Sequence, residues 1–425
     1  MIQPKKLKFS KLLGKGSFGS VYEVQISKKE KVAVKLVRPK ENNYGLPSIF
    51  EIDCYSRLSH PGLISSIGLQ EHQNSIAIKM PIAVQCLQNI ESNENISITS
   101  RIHYMYILCS ALSHLHFNRI VHHDIKSTNI LMLNDIPKIS DFGESLLFSD
   151  ETTRKRGTKS YWAPELFDSS EKSYIRFESD IWSLGIVFLY LMSYGKKLFT
   201  TEYSIEHQIK YLFDKSRYRI TIERYCDRIP LSFSSKCIDF LSHFLCPLSE
   251  RWNIDEILNH ELFNTFSKIY GIDLCFSYVQ CCSLEFITYS SRELLEICKD
   301  KYPTYPLIFL YTAFDIMYRF LSIEFSNDLP NLFSTCCTLS MKYHQCRLED
   351  ISLNEEEKKR EIRVVLRLNG IIYENRLYRS CVDIDDCVKK SHILLSPSKY
   401  MNLIIEDGFG PTKKINVIEW CSMLV

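Results

Sequence analysis

Near the start of the chain, hydrophobic and polar positions alternate in short runs; later they repeat with a helical period. Val21-Tyr22-Glu23-Val24, Lys31-Val32-Ala33-Val34-Lys35 and Ile76-Ala77-Ile78-Lys79-Met80 alternate as strands do, the first two close enough to pair as a hairpin. A helix is expected to open at Pro47, with Ile52, Tyr55 and Leu58 on its apolar face. Segment 101–117 has apolar residues at 105, 108, 112 and 115, a helical spacing, and Asn118 is expected to end it in the left-handed conformation. Short strands are expected at Ile130-Leu131-Met132-Leu133 and Lys138-Ile139-Ser140. Beyond Gly271 the pattern predicts helices over 292–300, 307–322, 329–343 and 354–368. The run 306–322 is almost wholly apolar, yet shorter than the ~20 residues a bilayer needs, and it contains Asp315 and Arg319. It reads as a helix buried in a bundle.

Composition narrows the function classes. A chain of 425 residues has room for two or three modules, and an apolar share of 45% is ample for a buried core. A net charge of +2 argues against nucleic-acid binding driven by phosphate neutralisation. The 16 cysteines are too sparse for a disulfide scaffold and include no CxxC pair, so no zinc site is expected. Cys281-Cys282 and Cys336-Cys337 lie in apolar surroundings and read as buried thiols. Met1-Ile2-Gln3-Pro4-Lys5-Lys6 lacks the apolar core of a signal peptide, so an intracellular protein, cytoplasmic or nuclear, is expected.

The candidate chemistry begins at Gly14-Lys15-Gly16-Ser17-Phe18-Gly19-Ser20-Val21. A GxGxxG alone is weak, because a dinucleotide-binding turn has the same form; that turn leads into a helix, whereas here a strand follows. Downstream, His122-His123-Asp124-Ile125-Lys126-Ser127-Thr128-Asn129 and Asp141-Phe142-Gly143 resemble the catalytic and metal-binding loops of a eukaryotic-type protein kinase. The resemblance implies a bilobal α+β fold over 1–266, with an N-lobe over 1–80 and a C-lobe over 84–266. It implies Asp124 meeting a substrate hydroxyl, Lys126 steadying the phosphoryl group, and Asn129 and Asp141 holding Mg²⁺. ATP would lie against Leu13, Gly14, Lys15, Gly16, Ser17, Phe18, Gly19, Val21 and Ala33, with Lys35 on its phosphates and Glu51 paired to Lys35. Pro81-Ile82-Ala83 would be the hinge, with Met80 or Ile78 guarding the rear pocket. Asp180 would tie down the catalytic-loop backbone, and Arg251 would pair with Glu165 of Ala163-Pro164-Glu165. Lys126 and Thr158 match the serine/threonine branch, so protein substrates are implied and no membrane or nucleic-acid partner.

Thr153 lies twelve residues before Glu165, the spacing of the activating phosphothreonine in cyclin-dependent kinases. The three positions that supply phosphate-binding arginines in that family read Phe50, His123 and Leu146 here. Activity without phosphorylation at Thr153 is therefore expected. The neighbouring Arg154-Lys155-Arg156 reads as a solvated loop face.

Three further stretches resemble a kinase and its activator in one chain. Pro47-Ser48-Ile49-Phe50-Glu51-Ile52 is similar to a shortened PSTAIRE helix, the cyclin-contacting helix of cyclin-dependent kinases. The run from Leu310 ending Arg319-Phe320-Leu321-Ser322, and Ser340-Met341-Lys342-Tyr343, resemble the second and third helices of a cyclin box. Lys342 and Glu361 would correspond to the cyclin residues that grip that kinase helix. The chain thus resembles kinase–cyclin fusions of large DNA viruses, with an all-helical cyclin-like module over 267–375 and an unassigned tail over 376–425. The expected function is a serine/threonine kinase using ATP and Mg²⁺, activated in cis. For the C-terminal helices the alternative is an unrelated helical bundle with Lys342 and Glu361 on its surface; for the function, the alternatives are a kinase whose C-terminal helical domain is only a substrate-docking adaptor, and a non-catalytic kinase-fold scaffold.

Overall fold

The computed structural model describes residues 7–16, 19–27, 30–37, 49–73, 75–89, 96–148, 156–167, 176–196, 198–199, 203–214, 217–264, 312–313, 316–317, 320, 328–343 and 353–372. The N-terminal part is one antiparallel sheet of β1 (Phe9–Gly16), β2 (Gly19–Gln25), β3 (Lys31–Val37), β4 (Gly68–His72) and β5 (Ser75–Met80), in the order β1-β2-β3-β5-β4. β3 is buried from Val32 to Val37, and its alternation divides the apolar residues between two clusters. Val32, Val34 and Leu36 pack with Val24 and Ala77, whereas Ala33 and Val37 join the main core.

Helix α1 (Ile49–Arg57) crosses the sheet on the main-core side. Every residue from Ile49 to Tyr55 is buried, polar ones included. A helix buried all round needs cover on both faces, and the sheet supplies only one.

The larger part begins with α2 (Ile98–Phe117), whose N-cap Ser97 accepts from Ser100 N–H. Short strands β6 (Gln85–Cys86), β7 (Ile120–Val121), β8 (Ile130–Leu133), β9 (Ile136–Ile139) and β10 (Leu146–Leu147) lie at the junction. Below them pack α3 (Phe177–Met192), α4 (Ile205–Leu212), α5 (Tyr218–Tyr225), α6 (Leu231–Ser242) and α7 (Ile254–Leu258). α3 is apolar on nearly every position and is buried accordingly. Asn118 does not take the left-handed conformation expected of it: its φ is −82°, and Arg119, at +60°, makes the turn. Asn118 is held helix-like because its amide donates to His114 O (2.8 Å) and its carbonyl accepts from Arg57 (3.1 Å).

The second cover for α1 comes from the far end of the chain. α8 (Leu329–Tyr343) packs on α1, and α9 (Glu355–Arg367), opened by an Asn354–Glu357 capping box, packs on β4. The expected helix at 354–368 is thus observed with its end residues as caps. Of the expected helix at 307–322, only 312–313, 316–317 and 320 are described; they are helical, and Ala313, Ile316, Met317 and Phe320 are buried. Expected helix 292–300 and the tail from 376 lie outside the described residues. Apolar residues of α1, α8 and α9 belong to one continuous core with the larger part. Among the described residues, no helix is long and apolar enough to cross a membrane.

Candidate active site

Between the sheet and the helical part lies a cleft of about 740 Å³, within the range of small-molecule sites. Its roof is built from β1, β2 and β3, which contribute Leu13, Gly14, Lys15, Gly19, Val21, Ala33 and Lys35. Met80, Pro81 and Ala83 line its rear, and Asp124, Lys126, Asn129 and Asp141 its floor. Of the two residues left open for the rear pocket, Met80 lines the cleft and Ile78 is absent from its walls. In the sheet register Met80 pairs with Ala33 and Ile78 with Lys35. Gly16 closes the β1–β2 hairpin against Gly19; Ser17 and Phe18 lie outside the described residues.

Lys35 is buried and holds two carboxylates, Glu51 from α1 and Asp141 (2.6 Å) from the loop after β9. Burial presses the ammonium toward neutrality, but Glu51 and Asp141 outweigh it and hold its pKa above the ordinary value. Asp141 is lowered despite its burial, because Lys35 attracts and hydrogen-bonds its carboxylate. Tyr55, one turn after Glu51 on the same face of α1, accepts from the Asp141 N–H (3.0 Å) and packs edge-on against Phe142. α1 therefore sets both the lysine's partner and the loop that carries Asp141. The sequence reading missed Tyr55; its i,i+4 spacing from Glu51 was the available signal.

The 122–129 loop is fixed from below. Asp180 on α3 accepts from His122 N–H (2.7 Å) and His123 N–H (2.9 Å). His122 accepts from Asp124 N–H at Nδ1 (3.2 Å), which assigns the proton to Nε2, placed to donate to Ser140 O (3.1 Å). Asp124 receives three donors: Thr158 Oγ1 (2.7 Å), Lys126 Nζ (2.7 Å) and Asn129 Nδ2 (3.0 Å). Lys126 also donates to Thr158 (2.9 Å), so hydroxyl, ammonium and carboxylate close a triangle. Gly157 brings Thr158 there: its φ is +81°, and a Cβ would sit 2.0 Å from His123 O. Arg251 clasps both carboxylate oxygens of Glu165 (2.7 and 3.2 Å), anchoring the other end of this segment.

Asn129 spends its amide nitrogen on Asp124, leaving its carbonyl oxygen for a cation, and the Asp141 carboxylate is 34% exposed at the cleft. Such oxygen donors fit Mg²⁺.

Of the three positions read as lost arginines, Phe50 packs at a tilt against Tyr343 of α8 (5.2 Å between centroids, 54° between planes) and Leu146 is buried in β10 beside Val121. His123 is half-buried with φ +64°, and the desolvation of its ring lowers its pKa to about 4. Arg156, expected on a solvated face, is instead half-buried and reaches Glu144 (3.5 Å), because the segment folds back onto the loop after Phe142. Thr153 lies outside the described residues. Lys342 and Glu361 meet in the interior, the ammonium 2.5 and 2.6 Å from the two carboxylate oxygens.

His60 and His114 stack at 5.4 Å, and burial lowers each to about 4, as for His123. The unfolded chain would take protons at these rings below the ordinary 6.5. Their stabilising effect is therefore complete above about pH 6.5 and lost as pH falls toward about 4. Thermal unfolding is expected to show a midpoint that falls across this window, and less steeply in His114→Gln. A midpoint constant from pH 6.5 to 4 would contradict the burial assigned to these rings.

Residues 7–263 match the family described as protein kinase domain. The chain is 31% identical over 262 residues to an Aurora kinase of Debaryomyces hansenii, covering 59% of this chain and 60% of that protein. It is 32% identical to an Aurora kinase of Saccharomyces cerevisiae (43% of this chain, 52% of that protein). It is 29% identical to the serine/threonine-protein kinase polo of Drosophila melanogaster (61% of this chain, 44% of that protein). The matched region thus spans about half the length of these relatives.

Proposed function

This chain belongs to the protein kinase family, and we propose that it transfers the γ-phosphoryl group of ATP to serine and threonine hydroxyls of proteins. In the same proposal, residues 328–372 act in cis as the activating cover of α1. The observation that carries the first part is the triangle of Asp124, Lys126 and Thr158. It presents one carboxylate and one cation side by side at the floor of the cleft.

In this reading the acceptor hydroxyl approaches Asp124, whose carboxylate takes its proton as the oxygen–phosphorus bond forms and the bond to the β-phosphate oxygen breaks. Lys126 lies 2.7 Å from Asp124 and would neutralise charge on the moving group. Lys35 would hold the ATP phosphates, kept in place by Glu51. Asn129 and Asp141 would hold Mg²⁺, which supplies charge neutralisation at the phosphates. With most of this geometry already assembled, the barrier left to the protein is largely one of positioning.

The second part rests on the cover itself. An isolated kinase module would leave Phe50, Asp53 and their neighbours on the outer face of α1 exposed; here they lie under α8 and the turn after α9. The helix is then held where Glu51 reaches Lys35. A tethered cover acts at an effective concentration of about millimolar, so even a modest interface stays closed.

Phosphoamino-acid analysis of an acceptor protein after incubation with ATP and Mg²⁺ tests the reaction class. Phosphoserine and phosphothreonine are expected; phosphotyrosine alone would refute the substrate assignment, and no transfer would refute the activity.

A further inference from the structure

After α9 the chain turns sharply at Asn369 (φ +50°) and Gly370 (φ +77°). Gly370 N–H donates to Val365 O (2.8 Å) and Ile371 N–H to Leu368 O (3.0 Å), a left-handed helix ending. The turn is pressed between α1 and β4. A Cβ on Gly370 would fall 2.3 Å from Ser56 Oγ, 2.7 Å from Leu69 Cδ1 and 3.0 Å from Ile52 Cγ2. Glycine is thus required twice, by backbone angle and by space.

Two residues on, Ile372 N–H donates to Asp53 Oδ1 (2.8 Å). The other oxygen of Asp53 accepts from Arg57 Nε (2.9 Å) and lies 3.4 Å from the Tyr343 hydroxyl. Asp53 is fully buried, and a buried carboxylate without partners would be strongly destabilising. Its partners come from α1, from α8 and from the turn after α9. Arg57 continues the connection to Asn118 (3.1 Å), the cap of α2 just before the strand that leads into the 122–129 loop.

We propose that residues 369–372 form a hook that locks α1, and that Asp53 is the positioning residue through which the hook sets Glu51. Asp53 follows Glu51 by two residues, about 200° around the helix, so one carboxylate serves the cleft while the other serves the cover. Asp53 touches no reacting group; it acts through the Lys35–Glu51 pair. The inference rests on the proposed kinase activity and names what regulates that site. It also assigns the outer face of α1 to the chain's own hook, leaving that face closed to a separate activator.

The test uses the full chain as wild type, Gly370→Ala and Asp53→Asn. Turnover is measured per nucleotide-binding site, alongside hydrogen exchange of 329–343. In both variants kcat is expected to fall by about tenfold or more, with KM for the acceptor changed less than about twofold and faster exchange in 329–343. A defect of folding alone would remove binding sites without changing turnover per site. Should Gly370→Ala fail to fold, the isosteric Asp53→Asn decides. A wild type without activity would defeat the functional reading. An active wild type whose foldable variants keep kcat within about twofold would overturn the hook, whatever the exchange shows.

Discussion

Asp124→Asn is expected to lower phosphotransfer by about 10²–10⁴-fold while nucleotide binding is kept. The size of the effect follows from the company Asp124 keeps. Thr158, Lys126 and Asn129 all point donors at its two oxygens. An asparagine brings an NH₂ group into that ring of donors, so one contact becomes repulsive and the proton acceptor is lost together. In the proposed reading the adenine would lie against the roof and rear of the cleft, away from the three donors around Asp124. Single-turnover transfer and titration with a fluorescent nucleotide separate the two effects. A variant that keeps a tenth or more of the wild-type rate would remove Asp124 from the role of base.

Lys342→Met is expected to produce the second-largest change, and it lies far from the chemistry. The pair with Glu361 is buried completely. Burial presses Lys342 below its ordinary pKa against the opposing attraction of Glu361. Removing one member strands the other in the interior, a cost of about 3–5 kcal/mol. That exceeds what a modest cover can absorb, so α8 and the turn after α9 should release α1, with a fall in turnover of about two orders of magnitude. The double variant Lys342→Met/Glu361→Leu removes both charges and should recover much of the loss. If the single variant turns over as fast as wild type, the cover is not what holds α1.

The arrangement of the candidate site was legible because its residues are contiguous. His122 to Asn129 and Asp141 to Gly143 each form a compact loop, and both loops line the cleft. The strands around Lys35 were legible for a similar reason, since alternation survives where one face is buried. What the sequence hid was contact between distant segments. Tyr343 and Ile372 meet Asp53 across 290 and 319 residues, and nothing in the local pattern of either segment points to the other. Asn118 was misjudged because its amide and carbonyl are committed to His114 and Arg57, which passes the left-handed turn to Arg119. Arg156 looked solvated because its partner, Glu144, lies on a different stretch of the folded segment. Lys342 and Glu361, expected to grip α1, also pair with each other in the interior, a contact that the sequence did not suggest.

In the proposed function the kinase needs neither a partner nor a phosphate to seat α1. The direct measurement is the initial rate of phosphotransfer by phosphatase-treated full chain, and by Thr153→Ala, with Mg²⁺, ATP and an acceptor protein as the only additions. The account predicts transfer at once, with Thr153→Ala retaining most of the wild-type rate. Activity that appears only after an upstream kinase or a separate activating protein is added would contradict it.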